Sequence, residues 1–514
     1  MRVNQKKAGV ALSYISEIIK ILTTLLYTPI MLRLLGQSEY GLYQLVHSVV
    51  SYLGLLSLGF TASYVRYYSK LKVEGTQDDI YRLNGMFMSV FLIMSLVSVL
   101  CGTVMIGNIE HLFADGLTKS EYGTARILMA LMVFNLAMTF PNSVYNCITS
   151  AHERFFFQRL LTVLQNLFNP FLTFPLLLLG YGSVGMVLVT TGITIAKFAV
   201  NIWYVRNRLK ERFVFNHFNF SLLKDIWQFT FFIFLNQIID QVNWSVDKFL
   251  LGRMMGTAAV TVYGLGGQIN TMYVQLSSSI STVFVPKVNR IVAEKDDNHQ
   301  LSVLFTRIGR IQFIILGLIM TGFIFFGQQF MKLWGGKANS DSYYVALWLI
   351  IPVTVPLIQN LGIEIQRAKN KHKARSVVYF LIAIANIFIS IPLIRLFGPT
   401  GAAIGTAISL AAGNILFMNW YYSRKIGLEI AAFWKQILSF VPALMIPCAI
   451  GALIMLFAPL SKIYVFAAGI VIYAAIYCAS MWFLGMNESE KKLISTTLEK
   501  IRKKRKGKTQ NTAD

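Results

Sequence analysis

Apolar runs of about 20 residues follow one another along the chain from residue 9 to residue 485, each long enough to cross a hydrocarbon core about 30 Å thick as a helix. The ten-residue alternation of a membrane barrel strand is absent. The pattern therefore predicts helices, whose backbone groups satisfy one another inside lipid. Fourteen spans are expected, over 9-33, 41-65, 83-107, 124-147, 157-180, 183-205, 227-251, 258-285, 308-331, 343-366, 376-397, 400-422, 433-457 and 462-485. The least distinct boundaries are the hinges Gly180-Tyr181-Gly182 and Phe397-Gly398-Pro399.

A second pattern lies over the first. Asn169, Pro175, Gly185 and Trp203-Tyr204 recur as Asn386, Pro392, Gly401 and Trp420-Tyr421, at offsets of 217 or 216. Upstream, Leu35-Gly36 with Tyr43 recurs as Met255-Gly256 with Tyr263, at an offset of 220. The chain reads as two copies of one six-span unit followed by an unpaired pair of spans. The expected organisation is an N-terminal lobe over 1-212, a C-terminal lobe over 213-425, an extra helix pair over 426-486 and a basic cytoplasmic tail over 487-514. An even number of spans per copy makes the repeats parallel, an arrangement that places a substrate site between halves that rock in alternating access.

Composition agrees with a membrane protein, since 55% of residues are hydrophobic and 14% charged, against about 25% charged in an ordinary soluble domain. The net charge of +24 records topology: most Lys and Arg fall in the loops expected inside, which places both termini in the cytoplasm. The basic cluster Lys500, Arg502, Lys503, Lys504, Arg505, Lys506 and Lys508 suits an anionic leaflet. No nucleic-acid module precedes it. The four cysteines show no ligand or disulfide spacing, and the first span lacks a cleavage site.

Charges inside hydrocarbon are costly and usually face a cavity or a partner. Those in the spans are Glu17, Lys20, Lys197, Asp240, Asp247, Lys248 and Glu364. The 220 offset carries Lys20 onto Asp240, so equivalent helices bear opposite charges. Either these two pair across a central cleft in one state, or each meets a local partner, such as Glu17 one turn before Lys20. Asp247 and Lys248 are expected to snorkel toward headgroups near the end of span 7. Glu364 lies beside Arg367, where an ion pair is the simple alternative to a coupling role. Glu17, Lys20, Asp240 and Glu364 are the ion-coupling or gating candidates, with His47 weaker.

Intramembrane amides such as Asn166, Asn169 and Asn236 either bond neighbouring helices or replace the water of a hydroxyl-rich substrate. Tyr14, Tyr52, Trp244 and Tyr273 are the aromatic residues expected to stack in a cleft. Enzymatic chemistry is not expected: no H-E-x-x-H or G-x-S-x-G occurs, and the acidic pairs Asp78-Asp79 and Asp296-Asp297 fall in loops. No phosphate-binding G-x-x-x-x-G-K-[ST] loop occurs either, so the driving force is an ion gradient or the gradient of the substrate itself.

The run from Leu32 to Tyr43 (LRLLGQSEYGLY), then Leu58-Gly59-Phe60 and Arg66-Tyr67-Tyr68, resembles the start of bacterial polysaccharide flippases of the Wzx type. Val246 to Gly252 (VDKFLLG), Val285-Pro286 and Gly398 to Ala403 (GPTGAA) resemble the second half of that family. The resemblance implies an all-α membrane fold similar to the multidrug and toxic compound extrusion transporters, in the superfamily that also holds the lipid II flippases. It implies transport of an undecaprenyl-pyrophosphate-linked oligosaccharide from the cytoplasmic to the outer leaflet of the plasma membrane, with no cofactor. Pathway polymerase and chain-length proteins are the expected partners, besides membrane lipids. A cleft carrying Lys20 and Lys197 suits the pyrophosphate. Two alternatives are an ion-coupled multidrug exporter of the same fold and a polysaccharide polymerase.

Overall fold

The computed structural model describes residues 5–496 except 58, 114–115, 216–219, 372 and 493–494, and leaves out many side chains within 5–18 and 221–244. Among the described residues there are helices and no strands. The main helices are α1 (Gln5–Leu53), α2 (Phe60–Glu74), α3 (Gln77–Gly107), α4 (Lys119–Ala151), α5 (Phe155–Leu178) and α6 (Gly182–Trp203) in the first repeat. The second repeat contributes α7 (Phe220–Met255), α8 (Thr257–Ser281), α9 (Val285–Glu294), α10 (Asn298–Trp334), α11 (Ser342–Ile358), α12 (Leu361–Ala368) and α13 (Lys373–Leu410). The chain continues through α14 (Ile430–Leu438), α15 (Val441–Phe457) and α16 (Ile463–Ser480).

Eight helices among the described residues are long and apolar enough to cross a membrane, or ten if two bent pairs count as spans. Of the fourteen spans expected, α1 and α13 each hold two, two more are bent pairs, and spans 7 and 8, in α7 and α8, are not among the eight. Spans 1 and 2 are the two parts of α1, separated by the non-helical residue Gly36, and spans 11 and 12 are the two parts of α13, separated by the non-helical residue Gly398. Spans 10 and 13 are the bent pairs, α11 with α12 and α14 with α15.

The backbone carries the repeat more plainly than the residues do. Left-handed conformations recur at the offsets seen in sequence: Gly36 (φ 77°) with Gly256 (φ 85°), Glu153 (φ 55°) with Asn370 (φ 54°), Gly182 (φ 57°) with Gly398 (φ 60°), and Lys210 (φ 57°) with Gly427 (φ 84°). The pair Lys210 and Gly427 each closes a π-helical turn, Tyr204–Leu209 and Tyr422–Ile426. Gly36 and Gly256 break their helices because a side chain there would face the steric penalty of positive φ.

Two compact units emerge, each drawn from several stretches. The first holds residues 1–268, 332–346 and 373–409. Its core is an aromatic cluster on α2 and α3, in which Tyr64 meets Phe87 edge-on at 5.1 Å, with Phe91, Phe140 and Ile148 around them. The linker after α6 is fastened to this core. Glu211 is buried, its two oxygens taken by His152 (2.8 Å) and Asn84 (3.0 Å), and Val214 donates to the Tyr81 carbonyl. Within this unit, first-repeat and second-repeat segments also interlock. Gln37 donates to Asn339 (2.9 Å), Thr257 to Glu121 (2.9 Å) and Trp334 to the Leu25 carbonyl (2.8 Å). At Gly41 a Cβ would lie 1.9 Å from the Thr257 carbonyl oxygen, so only glycine permits this approach.

The second unit holds residues 269–331, 347–372 and 410–514. Here α14 to α16 pack along α10 through a ladder of rings: Phe305 on Phe433 (4.8 Å), Phe313 on Phe440 (5.2 Å) and Phe326 on Tyr473 (5.6 Å). Tyr477 donates to the Ile314 carbonyl at 2.9 Å. Below the ladder lies a buried ion pair. Arg310 donates through Nε (2.7 Å) and Nη2 (3.0 Å) to the two oxygens of Glu490, with further bonds to the Gly485 and Gln436 carbonyls and its guanidinium over the Phe440 ring.

Candidate functional site

The polar residues of α5 fall on one stripe. Gln158, Thr162, Gln165, Asn166 and Asn169 follow the i, i+4, i+7, i+8, i+11 spacing of a single helix face, with Arg159 beside it. The opposite face shows Leu164, Leu167, Phe168, Phe171 and Leu172, all exposed, as a lipid-facing surface requires. At the N-terminal end of the stripe Gln158 is locked in place. Its amide donates to the Asn146 carbonyl (2.5 Å) and Thr149 (2.6 Å) of α4, and its Oε1 accepts from Ser150 (3.1 Å).

Two cavities open along this stripe, both inside the first unit. The larger, about 490 Å³, is lined by α2, α4, α5 and α6, and includes Ser143, Asn146, Gln158, Arg159, Thr162 and Lys197. The smaller, about 180 Å³, lies between α1 and α5, where Lys20, Thr23, Thr24, Tyr27, Gln165, Asn166 and Asn169 line it. Gln165 connects them: it lines the small cavity while its Oε1 accepts from Lys197 Nζ of the large one at 3.0 Å. Among the described residues, three cations line the two cavities and no carboxylate does.

The structure thus places three of the sequence candidates, Lys20, Lys197 and Asn166, along one helix face. Asn166 also donates to Ser16 at 3.3 Å. Four others are placed elsewhere or serve the packing. Tyr273 is buried in the second unit, bonded to Thr354 (2.8 Å) and the Leu316 carbonyl. Tyr52 lines neither cavity. Glu364 accepts from Arg367 at 2.7 Å, the ion pair that was its simple alternative. Glu17 is half-buried on α1, one turn before Lys20. The side chains of Tyr14, Asn236, Asp240 and Trp244 lie outside the described residues, and with Asp240 the suggested pairing to Lys20. Arg159, Gln158 and Gln165 were not singled out from sequence, although the polar stripe on an otherwise apolar span was the signal that marks them.

Asp247 and Lys248 depart from the snorkelling expected of them. Asp247 is 1% exposed, and its Oδ2 accepts from Tyr263 (2.6 Å) and Thr406 (2.7 Å). Its Oδ1 is buried with no hydrogen-bond partner among the described residues, while Asn386 and Ser390 bond to each other (3.1 Å) on the helix that also carries Thr406. Lys248 donates to Gln44 at 2.8 Å. Asp247 turns into the protein because α8 and α13 supply the hydroxyls of Tyr263 and Thr406, and Lys248 because α1 supplies the amide oxygen of Gln44. Among the described residues no cluster of three or more His, Cys, Asp or Glu has the makings of a metal site.

With this geometry in hand, comparison with known proteins fixes the family. A family model described as polysaccharide biosynthesis protein matches residues 7–292, more than half of the chain. The chain belongs to this polysaccharide biosynthesis family. It is 21% identical over 407 residues to a Shigella flexneri protein named "Putative O-antigen transporter", covering 76% of this chain and 91% of that one. A Bacillus subtilis relative, the membrane protein EpsK, is 22% identical over 435 residues, covering 80% and 82%. A Haloferax volcanii relative is named "Probable flippase AglR", with 23% identity over 176 residues, 34% of this chain and 37% of that one. Among solved structures, the lipid II flippase MurJ superposes with a TM-score of 0.72 at 16% identity, over 92% of this chain and 97% of MurJ. An inward-facing multidrug transporter of the MATE family gives 0.64 at 14% identity, over 82% and 99%. This member of the polysaccharide biosynthesis family is accordingly a multi-span membrane transporter of the flippase type, with the MurJ and MATE fold, and not an enzyme.

Proposed function

We propose that the protein flips a lipid-linked oligosaccharide, joined to its polyprenyl chain through pyrophosphate, from the cytoplasmic to the outer leaflet of the bacterial plasma membrane for cell-surface polysaccharide assembly. The observation that carries this reading is the α5 stripe: hydroxyls and amides suited to sugar, with Lys20, Arg159 and Lys197 as the charged groups that line its two cavities among the described residues. A cavity for cationic drugs would call for carboxylates, whereas the described lining of both cavities is cationic, so the multidrug alternative is the weaker fit. Both termini are assigned to the cytoplasm, with the two repeats as the lobes that alternate in access. Polymerase and chain-length proteins would receive the product outside. Depletion in the native host, followed by analysis of lipid-linked sugars, tests the proposal. Complete units should accumulate on the cytoplasmic leaflet; unpolymerised units displayed outside would contradict it.

Ion coupling is assigned to Asp247. A buried carboxyl with one oxygen unpartnered, surrounded by Tyr263, Thr406 and Ser390, provides oxygen ligands for a proton or a small hard cation. Asp247→Asn is expected to leave the protein in the membrane while flipping in proteoliposomes loses its response to an imposed proton or sodium gradient. An unchanged gradient response in the variant would rule the assignment out.

A further inference from the structure

We infer that the first repeat by itself holds a binding site for a diphosphate group, in the larger cavity between α2, α4, α5 and α6, and that the second repeat has no equivalent. The inference rests on the transport reading above and narrows it to one half of the molecule and to two side chains.

Arg159 contributes a planar fork able to take two oxygens at once, and Lys197 a compact charge on a flexible stem. Neither is paired with a carboxylate among the described residues, and the one partner of Lys197 is the neutral amide of Gln165. A cation held by a neutral acceptor keeps its charge available to an incoming anion. The cavity, about 490 Å³, falls in the range of about 300–1,000 Å³ typical of small-molecule sites, and Ser143 and Asn146 add neutral donors beside the cations.

The repeat then shows that the site is one-sided. The offset of 217 puts Ser376 at the place of Arg159, Asn414 at that of Lys197 and Ile382 at that of Gln165. The second copy does carry Arg375 where the first has Gln158, but that guanidinium is stacked on the Tyr379 ring at 4.7 Å. The pair of cations facing one cavity belongs to the first copy alone. A headgroup bound there travels with that half while the other supplies no competing anion site.

The test uses purified full-length protein in detergent and follows its thermal unfolding midpoint against added ligand. Inorganic pyrophosphate and farnesyl diphosphate are expected to raise the midpoint saturably, whereas farnesol does not. The double variant Arg159→Gln, Lys197→Gln should weaken the apparent affinity at least about 10-fold, with Lys197→Arg retaining it and Ser376→Ala unchanged, since both charge-assisted contacts to the diphosphate are lost. Because the readout is a ligand-dependent shift, each variant serves as its own baseline. No shift with either diphosphate, or an equal shift in the double variant, overturns the site. An equal shift with phosphatidylglycerol assigns it to a phospholipid headgroup and also overturns it. None of these outcomes touches the depletion experiment, which reads lipid-linked sugars in cells and stands or falls separately.

Discussion

Glu490→Ala is expected to destabilise the second unit by about 3–5 kcal/mol, because it leaves the guanidinium of Arg310 buried without its counter-charge. The side chains are 5% and 3% exposed, so water cannot take over the lost bonds. Arg310 would keep the Gly485 and Gln436 carbonyls and Ser439, which satisfy donors but not the charge. The pair also joins α10 to the segment that follows α16, so truncation before Asn487 should reproduce the loss. Unfolding in detergent, followed by denaturant or heat, measures it. The double replacement Arg310→Met, Glu490→Leu separates charge from packing: it should recover most of the stability, since apolar pairs of similar volume often match a buried ion pair. A single variant as stable as the wild type would mean that the pair contributes little.

Reversing the cations of the large cavity is expected to abolish transport while sparing the fold. In cells carrying Arg159→Glu with Lys197→Glu, surface polysaccharide should fall by at least about 10-fold, because like charges brought together cost several kcal/mol and about 1.4 kcal/mol is already tenfold. Arg159 is exposed to the cavity and Lys197 is only half-buried, so both carboxylates can stay hydrated in the empty protein. Membrane levels of the variant, measured by immunoblot, should match the wild type. Normal polysaccharide at normal protein levels would remove both residues from the transport path.

Much of the architecture was legible in sequence because it rests on periodicities longer than any side-chain interaction. Helices in lipid follow from twenty-residue apolar runs, and the duplication follows from residues such as Asn169 and Asn386 that keep their spacing. What the apolar runs conceal is how short a break can be: Gly36 and Gly398 each separate two expected spans by a single non-helical residue. The site was legible in part for a related reason. Lys20 and Lys197 stand out as charges in apolar runs, whereas Arg159 lies near a span end, where a basic residue is unremarkable until the stripe from Gln158 to Asn169 is traced. Asp247 was misjudged because position along a helix says nothing about rotation about its axis. Tyr263 and Thr406, far away in sequence, decide that it faces inward.

The recurrence of left-handed residues at a constant offset gives the chain an internal reference. At two of the four positions the second copy uses Asn370 and Gly427, which adopt positive φ readily, where the first uses Glu153 and Lys210. A left-handed residue with an ordinary side chain costs roughly 1–2 kcal/mol. Residues other than glycine take positive φ in both copies, Glu153 and Lys210 in the first and Asp296 and Asn370 in the second. A position where the copies differ in residue but not in the sign of φ, such as Glu153 against Asn370, marks a turn that the backbone keeps whatever side chain it carries.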